Sequence, residues 1–291
     1  HEQWRLWGYS YQVVISTKDE NRLELKNIIL NADDFAMNAA VSRGIINLAR
    51  LGRLTATSAM TLSPRWQQDA MALRESNAQI DVGLHLDWTS PFAVAKGHGL
   101  SLKRGVLIAA LGGYNKSTAR AVIEEQLDVF EQVWQAVPSH IDGHQHVHQF
   151  RGIRDALVEV INKRYGNLPR LQRPYLRVSD DPSDQFNFKS KFIASLNANA
   201  IKKIAIKADI TPTRGLFGVY NFTGGELAYA HRMAQWLKEI PAGGIIMCHP
   251  AQGSLDNGDV DDGILKARHW EYSHLASDAF AQSIKDSKIT L

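Results

Sequence analysis

The sequence predicts an α/β fold built on a mostly parallel sheet, open or closed into a barrel, with the helices outside. Short apolar runs that suit buried strands alternate with longer segments of helical periodicity, and this alternation is typical of βα units. Neither a linker of distinct composition nor an internal repeat divides the 291 residues. The composition, 44% hydrophobic and 22% charged, is that of a globular protein with a substantial core.

The first half of the chain shows the alternation from residue 26 onward. The run Lys26–Ala32 is apolar enough for a buried strand, and it stops at Asp33 and Asp34. Asn38 is a suitable N-cap for the following helix, and Gly52 suits the end of that helix. Strands are then predicted at 56–61 and 80–86, a helix at 64–76, and a long loop rich in Gly and Pro at 87–115.

The second half continues the pattern. The segment 117–137 is the strongest helix, because Ile123, Leu127, Phe130 and Trp134 form an apolar stripe at helical spacing. Residues 1–25 are expected to be an N-terminal extension, followed by a single domain at 26–291. Further strands are predicted at the start of 140–150 and at 175–178, 213–219 and 244–248, and further helices at 153–165, at most of 189–207, at 226–239 and at 274–286.

Charge and apolar runs exclude several classes of protein. The 33 basic residues are spread among 30 acidic ones and leave a net charge of only +3, so the sequence does not indicate a nucleic-acid partner. No apolar run reaches the ~18–20 residues that a membrane span needs. Cys248 is the single cysteine, which excludes a disulfide within the chain, and it is expected to be a buried packing residue. The cytoplasm is the expected location by default, and the sequence is compatible with a homodimer.

Carboxylates and imidazoles recur where the predicted strands end. In parallel sheets and barrels the carboxyl ends of the strands meet at one edge, and functional sites gather there. A single carboxylate or histidine at a strand end is more simply explained as part of a turn, as a helix cap or as a hydrogen-bonded core histidine. The prediction of a functional site therefore depends on the recurrence of such residues at several strand ends. The residues concerned are Asp33, Asp34, His85, Asp87, Asp142, His144, His146, His148, Arg177, Asp180, Asp181 and His249.

The stretch from His140 to Phe150 contains four of the 11 histidines and raises the question of a metal site. Imidazole nitrogen and carboxylate oxygen together suit Zn²⁺ and other first-row metals. A catalytic site of this kind takes about three protein ligands and keeps a position open, so the four histidines cannot all be direct ligands. One carboxylate and two histidines from three strand ends meet the requirement.

Four short motifs occur in order along the chain. They are Asn31-Ala-Asp-Asp-Phe35, Gly83-Leu-His-Leu86, His140-Ile-Asp-Gly-His-Gln-His-Val-His148 and Met247-Cys-His-Pro250, and Arg268-His-Trp-Glu271 comes later. Together they resemble the YdjC-like carbohydrate deacetylase family, which acts on N-acetylated chito-oligosaccharides. The resemblance implies an irregular (β/α) barrel of mostly parallel strands with outer helices, one divalent ion (Mg²⁺ or Zn²⁺), and an N-acetylated mono- or oligosaccharide as substrate.

The resemblance also implies roles for individual residues. Asp34, His85 and His144 match the metal ligands of the family. Asp33 resembles the catalytic base of related polysaccharide deacetylases, and His249 resembles their general acid. The implied reaction is the hydrolysis of an N-acetyl group to an amine and acetate.

The remaining site residues surround this set. Arg177 is the favoured match to the family's active-site arginine, because it lies on a predicted strand. His146 and His148 are expected behind the ligands or on the pocket wall. Trp88 and Tyr175 are candidates for stacking on sugar rings. Phe217 and Tyr220 are further candidates, although core packing explains Phe217 better.

Two local requirements follow from the Asp-Asp motif. Asp33 and Asp34 are neighbours, so an ideal strand would point them to opposite faces, and both reach one site only if the strand ends or bends between them. The family usually has glycine where this chain has Ala36. A backbone with positive φ at that position would be costly for alanine.

Three alternatives remain open at the level of sequence. His85 and Asp87, with a distant His144 or His249, could form the two-His-one-carboxylate site of a non-haem iron oxygenase. The chain could instead be a metal-dependent hydrolase of another amide, an ester or a phosphoester. A sugar-binding or metal-storage module would need the pocket but would tolerate the loss of Asp33 and His249.

Overall fold

The computed structural model describes residues 25–179 and 198–291, and a seven-stranded sheet forms its centre. The strands of this sheet are β2 (Ile29–Phe35), β3 (Ala56–Ala59), β4 (Asp81–Leu86), β5 (His140–Gly143), β6 (Tyr175–Leu176), β7 (Leu216–Phe217) and β8 (Ile245–Cys248). Their order is β6-β5-β4-β3-β2-β8-β7, and all neighbouring pairs are parallel. The parallel arrangement brings the carboxyl ends of all seven strands to one side.

One segment joins the two edges of this sheet. On β6, the Leu176 N–H donates to the Thr211 carbonyl at 2.9 Å, and the Thr213 N–H donates to the Leu176 carbonyl at 3.0 Å. The same segment continues into β7, which pairs with β8 at the opposite edge. The sheet therefore curls into a closed but irregular ring, and the predicted irregular (β/α) barrel with mostly parallel strands is confirmed.

Helices connect the strands, and most of the buried apolar side chains of both form one large core cluster. The first helix begins as predicted, because the Asn38 side chain accepts a hydrogen bond from the Val41 N–H. In the longest helix, Ile123, Leu127 and Phe130 are fully buried. The helices are α1 (Ala39–Arg50), α2 (Trp66–Glu75), α3 (Pro91–Ala95), α4 (Leu102–Leu111), α5 (Lys116–Trp134), α6 (Ile153–Tyr165), α7 (Ala198–Lys207), α8 (Gly225–Glu239), α9 (Leu265–Ala276) and α10 (Asp278–Asp286).

Two predicted elements differ in the structure. Residues 87–115 are not a plain loop, because α3 and α4 lie within them. Ser90 caps α3 by accepting from the Phe92 and Ala93 N–H groups, with Pro91 in the first turn, so the proline begins a helix there. The predicted last helix, 274–286, covers only the end of α9 together with all of α10, and the Ser277 side chain caps α10 at the break between them.

The ends of the described chain meet in a second, two-stranded sheet. Strand β1 (Lys26–Asn27) pairs in parallel with β9 (Ile289–Thr290). The predicted single domain at 26–291 stays a prediction, and its N-terminal extension lies outside the described residues except for Leu25. Part of the predicted helix at 189–207 is seen as α7, and the rest lies outside them. Among the helices described, none has the length and apolar character to span a membrane.

Strand β2 bends at the Asp-Asp motif. Its register against β3 shifts between Ala32 and Phe35, and Asp34 has a φ of 69°. This bulge interrupts the alternation of side chains that would point Asp33 and Asp34 to opposite faces. Both carboxylates can therefore reach the same site. Ala36 follows with a φ of 72°, so alanine adopts the left-handed backbone that glycine would adopt at lower cost.

Candidate active site and metal centre

Asp34, His85 and His144 lie together at the carboxyl ends of three strands. Asp34 comes from the bulge of β2, His85 from β4, and His144 from the 3₁₀ helix His144–Gln149 that directly follows β5. One donor atom of each lies within 4.8 Å of the other two. Asp34 Oδ1 is 2.9 Å from His144 Nδ1 and 3.3 Å from His85 Nε2. One carboxylate oxygen and two imidazole nitrogens form a donor set that suits a first-row divalent ion.

Asp142 fixes the orientation of His85. The two side chains lie on the paired strands β5 and β4, and His85 Nδ1 is 2.6 Å from Asp142 Oδ1. The other ring nitrogen, Nε2, therefore faces Asp34. Burial alone would lower the pKa of His85, but the Asp142 carboxylate and the hydrogen bonds to Asp142 and Asp34 raise that pKa to about 10. A carboxylate behind the imidazole is the arrangement usually found at metal-binding histidines.

Asp142 is itself held by buried partners. The Ser58 hydroxyl donates to Asp142 Oδ2 at 2.6 Å, and Arg177 Nη1 lies 3.1 Å from the same oxygen. Burial would raise the pKa of Asp142, but the nearby Arg177 and His85 hold this pKa well below its usual range. The Asp142 carboxylate is thus ionised and fixed beneath His85.

Asp33 forms a two-point ion pair with Arg177. Arg177 Nη1 and Nη2 donate to Asp33 Oδ1 and Oδ2 at 2.7 and 2.9 Å, and the Asn31 amide donates to Oδ1 at 2.7 Å. Both partners of the pair are buried. Burial opposes ionisation, but Arg177 and His85 lower the pKa of Asp33 below its ordinary value. Asp33 is therefore an oriented, ionised carboxylate at neutral pH.

His249 follows β8 and lies between two carboxylates. Its Nε2 is 3.8 Å from Asp33 Oδ2, and its Nδ1 is 3.9 Å from Glu271 Oε1. Its backbone N–H donates to Glu271 Oε2, and the Phe222 ring meets its imidazole edge-on at 5.2 Å between centroids. With 12% of its side chain exposed, His249 is more accessible than Asp33 and can meet a bound substrate.

Arg268 holds the second oxygen of Asp34. Its side chain is 1% exposed, and Nη2 donates to Asp34 Oδ2. The same nitrogen contacts Asp262 Oδ2. Asp34 thus uses one oxygen towards the imidazoles and the other towards a buried cation. Burial would raise the pKa of Asp34, but Arg268 and His144 hold this pKa well below its usual value.

The other histidines of the His-rich stretch lie around Asp34, His85 and His144. His140 is buried, its Nε2 is 3.0 Å from Ser58 Oγ, and burial lowers its pKa to about 4. His148 is also buried, and its Nε2 lies 2.9 Å from the Arg177 carbonyl oxygen. His146 is partly exposed, and its Nδ1 lies 2.9 Å from Ser179 Oγ. His148 therefore supports the arginine from behind, whereas His146 is the more accessible of the two.

The aromatic candidates differ in exposure. Trp88 is only 2% exposed and contacts His98 edge-on, and Phe217 is 3% exposed within the core. Tyr175 is partly exposed and stacks on His140 with centroids 5.0 Å apart. Tyr220 is partly buried, and its hydroxyl donates to Glu271 at 2.7 Å. Sugar stacking by these residues stays a prediction.

Several residues of the site escaped the sequence assignment. Asp142, Arg268 and Glu271 belong to the motifs, but the sequence assigns them no role, and Phe222 lies outside every motif. Asp142 had one usable signal, since it lies two residues before His144 on the strand that pairs with β4. The other three lie far from their partners in sequence, so only the folded chain reveals their contacts.

Gly83 is expected to be indispensable to the packing of His140. A Cβ atom at Gly83 would lie 2.4 Å from the His140 ring, and this ring is completely buried. We expect Gly83→Ala to destabilise the protein by about 1–3 kcal/mol, as overpacking does. Urea unfolding measures the change. The matched control is Gly105→Ala in α4, where the closest atom is the Tyr114 hydroxyl at the end of a side chain. Equal stabilities of the two variants would contradict the expectation.

The fold and the site together define a class of protein. Proteins of this class have an irregular (β/α) barrel in which buried carboxylates, imidazoles and arginines converge at the carboxyl ends of the strands. The sequence profile of YdjC-like proteins matches residues 27–286. The chain belongs to the YdjC-like family.

Named relatives agree with this membership. A carbohydrate deacetylase of Clostridium beijerinckii is 30% identical over 151 residues, which are 49% of this chain and 58% of the relative. A chitooligosaccharide deacetylase of Salmonella typhimurium is 30% identical over 164 residues, or 54% of this chain and 64% of that protein. The matched part thus spans less than two thirds of either relative.

A solved structure shares the fold. It comes from Enterococcus faecalis and is described as a candidate cellobiose-phosphate cleavage protein. It is 20% identical in sequence, with a TM-score of 0.66, and the match covers 92% of this chain and 97% of that one. At this identity the likeness concerns the barrel alone.

Proposed function

We propose that the chain is a metal-dependent carbohydrate deacetylase that removes the acetyl group from an N-acetylated sugar or chito-oligosaccharide. One observation carries the proposal. Beside the donor group of Asp34, His85 and His144 lie a carboxylate and an imidazole outside that group, with Asp33 Oδ2 and His249 Nε2 3.8 Å apart. Family membership and the names of the relatives support the substrate class.

The donor group fits a single divalent ion. Asp34 Oδ1, His85 Nε2 and His144 Nδ1 face one another, and the outer atoms of Asp34 and His85 are already held by Arg268 and Asp142. The three inner donor atoms contact one another, whereas the outer atoms of Asp34 and His85 contact other protein groups. When bound, a Mg²⁺ or Zn²⁺ ion supplies Lewis acidity towards the amide carbonyl and the attacking water.

The reaction breaks the C–N bond of the acetamide and forms acetate and an amine. Asp33 accepts a proton from the water as the water oxygen attacks the carbonyl carbon. Arg177 holds both oxygens of Asp33, so the carboxylate keeps one orientation without reorganisation. His249 then gives a proton to the departing nitrogen, which is a poor leaving group as an amide anion. The role of Arg177 is positioning, because it contacts the base.

Glu271 is suited to hold His249 in place during this transfer. It accepts from the His249 backbone N–H and from the Tyr220 hydroxyl, and its Oε1 faces His249 Nδ1 at 3.9 Å. Glu271 thus holds the His249 backbone, and the Nε2 nitrogen of His249 faces Asp33 Oδ2 at 3.8 Å. The base and the acid thus lie on the same side of the barrel, as a single hydrolytic step requires.

Other metal enzymes fit less well. The oxygenase alternative used Asp87 as a ligand, but Asp87 Oδ1 accepts from the Thr89 and Ser90 N–H groups, and Oδ2 accepts from the Ser90 hydroxyl. Asp87 therefore closes a turn. Hydrolysis of another amide, an ester or a phosphoester remains the second candidate, because the same base, acid and donor group would serve it.

Acetate release tests the proposal directly. Purified protein, stripped with a chelator and reloaded with Mg²⁺ or Zn²⁺, is expected to release acetate from N-acetylated glucosamine or its oligosaccharides only when an ion is present. His85→Ala should lose both the bound ion and the activity. His231→Ala, at an exposed position of α8, is the matched control and should retain both.

Each other outcome has a definite meaning. Metal binding without acetate release from any N-acetylated sugar would overturn the deacetylase assignment. Turnover of esters or phosphoesters alone would favour the second candidate. Acetate release that persists after complete removal of metal would contradict metal dependence.

A further inference from the structure

Arg268 connects the proposed metal centre to the loop between β8 and α9. Its Nη2 contacts Asp34 Oδ2 on one side and Asp262 Oδ2 on the other. The Asp262 side chain is 20% exposed, whereas Arg268 and Asp34 are almost completely buried. A chain of contacts therefore runs from the surface to a candidate ligand.

We propose that Asp262 and Arg268 form a positioning pair that sets which oxygen of Asp34 faces the two imidazoles. This inference rests on the proposed function, because it concerns the same metal centre. Arg268 engages Oδ2, and Oδ1 alone points to His85 and His144. Asp262 holds the guanidinium in that place.

The carboxylate of Asp34 depends on this pair for its orientation. Among the described residues, the hydrogen bonds of Asp34 side-chain oxygens go to His85, His144 and Arg268. The two imidazoles would bind the ion, so Arg268 remains as the protein group that keeps Asp34 from rotating or from presenting both oxygens. The left-handed backbone at Asp34, with a φ of 69°, does not fix the carboxylate, since the side chain rotates about its own bonds.

Asp262 also balances charge. Arg268 is a cation next to a centre that is to receive another cation, and their repulsion opposes binding. The Asp262 carboxylate compensates the guanidinium from the far side. Loss of this carboxylate is therefore expected to weaken metal binding through both geometry and electrostatics, which act in the same direction.

The loop that carries Asp262 is fastened to α1. The Asp259 carboxylate accepts from the Ala39 N–H at 2.9 Å, and the Asn38 amide donates to the Val260 carbonyl at 3.0 Å. Arg43 donates to Asp256 at 3.2 Å. Asn38, Ala39 and Arg43 follow the Asp-Asp motif closely in sequence. Their contacts therefore fasten the loop next to β2 and hold Asp262 at a fixed distance from Asp34.

The test compares two neighbouring carboxylates. Asp262→Asn should weaken Zn²⁺ and Mg²⁺ binding, measured by chelator competition, by roughly three- to tenfold, since it acts one contact beyond residues whose loss costs about 10–100-fold. Asp261→Asn is the matched control. It removes the same charge from the same loop, but within the described part of the chain the Asp261 carboxylate accepts from the Gly263 N–H, a bond that asparagine can keep. Arg268→Lys should lower the affinity by about 10–100-fold.

A second readout separates positioning from general stability. Melting temperatures of the wild type and both Asp variants should be similar in chelator, and the rise on adding Zn²⁺ should shrink for Asp262→Asn alone. Equal metal affinities for Asp262→Asn and Asp261→Asn would overturn the positioning pair while leaving the proposed function intact. A wild-type protein that binds neither ion would overturn the metal centre itself.

Discussion

Asp33→Asn is expected to remove most of the activity while the metal ion stays bound, whereas Asp34→Asn is expected to release the ion. Asp33 faces Arg177 and His249 and lies outside the three-donor group. Its loss removes the base, so kcat should fall by about 10²–10⁴, and added metal should not restore it. Asp34 supplies the one anionic donor, so its loss should lower metal affinity, and excess metal should restore part of the activity.

Metal content and kcat of the two variants, measured together, decide this prediction. His249→Ala should resemble Asp33→Asn, but its defect should shrink with an activated aryl acetate, whose leaving group needs no proton. Loss of metal from Asp33→Asn with retention in Asp34→Asn would mean that the two roles are exchanged. Activity within a few-fold of wild type in all three variants would mean that the active site lies elsewhere.

Local signals in the sequence predicted the parallel α/β sheet with outer helices, whereas the irregular barrel was implied by the family resemblance. Buried apolar runs, N-caps and helical stripes each depend on a few neighbouring residues, and their alternation implies a parallel sheet whose strand ends meet. Asp34, His85 and His144 each follow or end such a strand. Their meeting was therefore a consequence of topology, and the structure brings their donor atoms together.

The supporting residues could not be predicted in the same way. Arg268 lies 234 positions from Asp34 along the chain, and nothing local marks it as a partner. Glu271 and Phe222 meet His249 only after α9 and the segment before α8 pack around β8. The sequence predicts a loop at 87–115 because glycine and proline usually interrupt helices, whereas Pro91 occupies the first turn of α3.

The backbone conformation of Ala36 is set by the fold and not by the local preference of alanine. The sequence indicated that a positive φ at this position would be costly, and the structure has φ at 72°. The cost of a left-handed alanine, about 1–2 kcal/mol, is borne because the surrounding contacts fix the turn. The Ala36 N–H donates to Ser42 Oγ at 3.2 Å, and the Ser63 hydroxyl donates to the Ala36 carbonyl at 2.6 Å. Tertiary contacts thus outweigh the intrinsic preference.

Arg177→Met is expected to be the most destabilising single change at the site. Arg177 is completely buried and lies between Asp33 and Asp142. Its removal would leave two buried carboxylates without their shared cation, which typically costs about 3–5 kcal/mol. Protonation of one carboxylate would relieve part of this cost, so the loss should be smaller at low pH than at neutral pH.

A second arginine provides the comparison. Arg164 contacts Glu124, Asp128 and Glu131. Among the described residues these are three carboxylate partners, against two for Arg177. The Arg164 side chain is 19% exposed, however, and those of its partners are 25–67% exposed. Water can therefore solvate the separated charges, and Arg164→Met should cost only about 1 kcal/mol.

Urea unfolding of both variants in chelator, at pH 7 and again at pH 5, measures the difference without any contribution from metal binding. Burial, and not the number of ion pairs, determines how much stability is lost. The loss of unfolding free energy in Arg177→Met should therefore be at least about three times the loss in Arg164→Met. Arg177→Lys should lie between the two, because it keeps the charge but loses the fork that binds both Asp33 oxygens. Equal losses for Arg177→Met and Arg164→Met would mean that the buried carboxylates find other partners, and Asp33 would then not be held by Arg177 in the way its proposed role as a base requires.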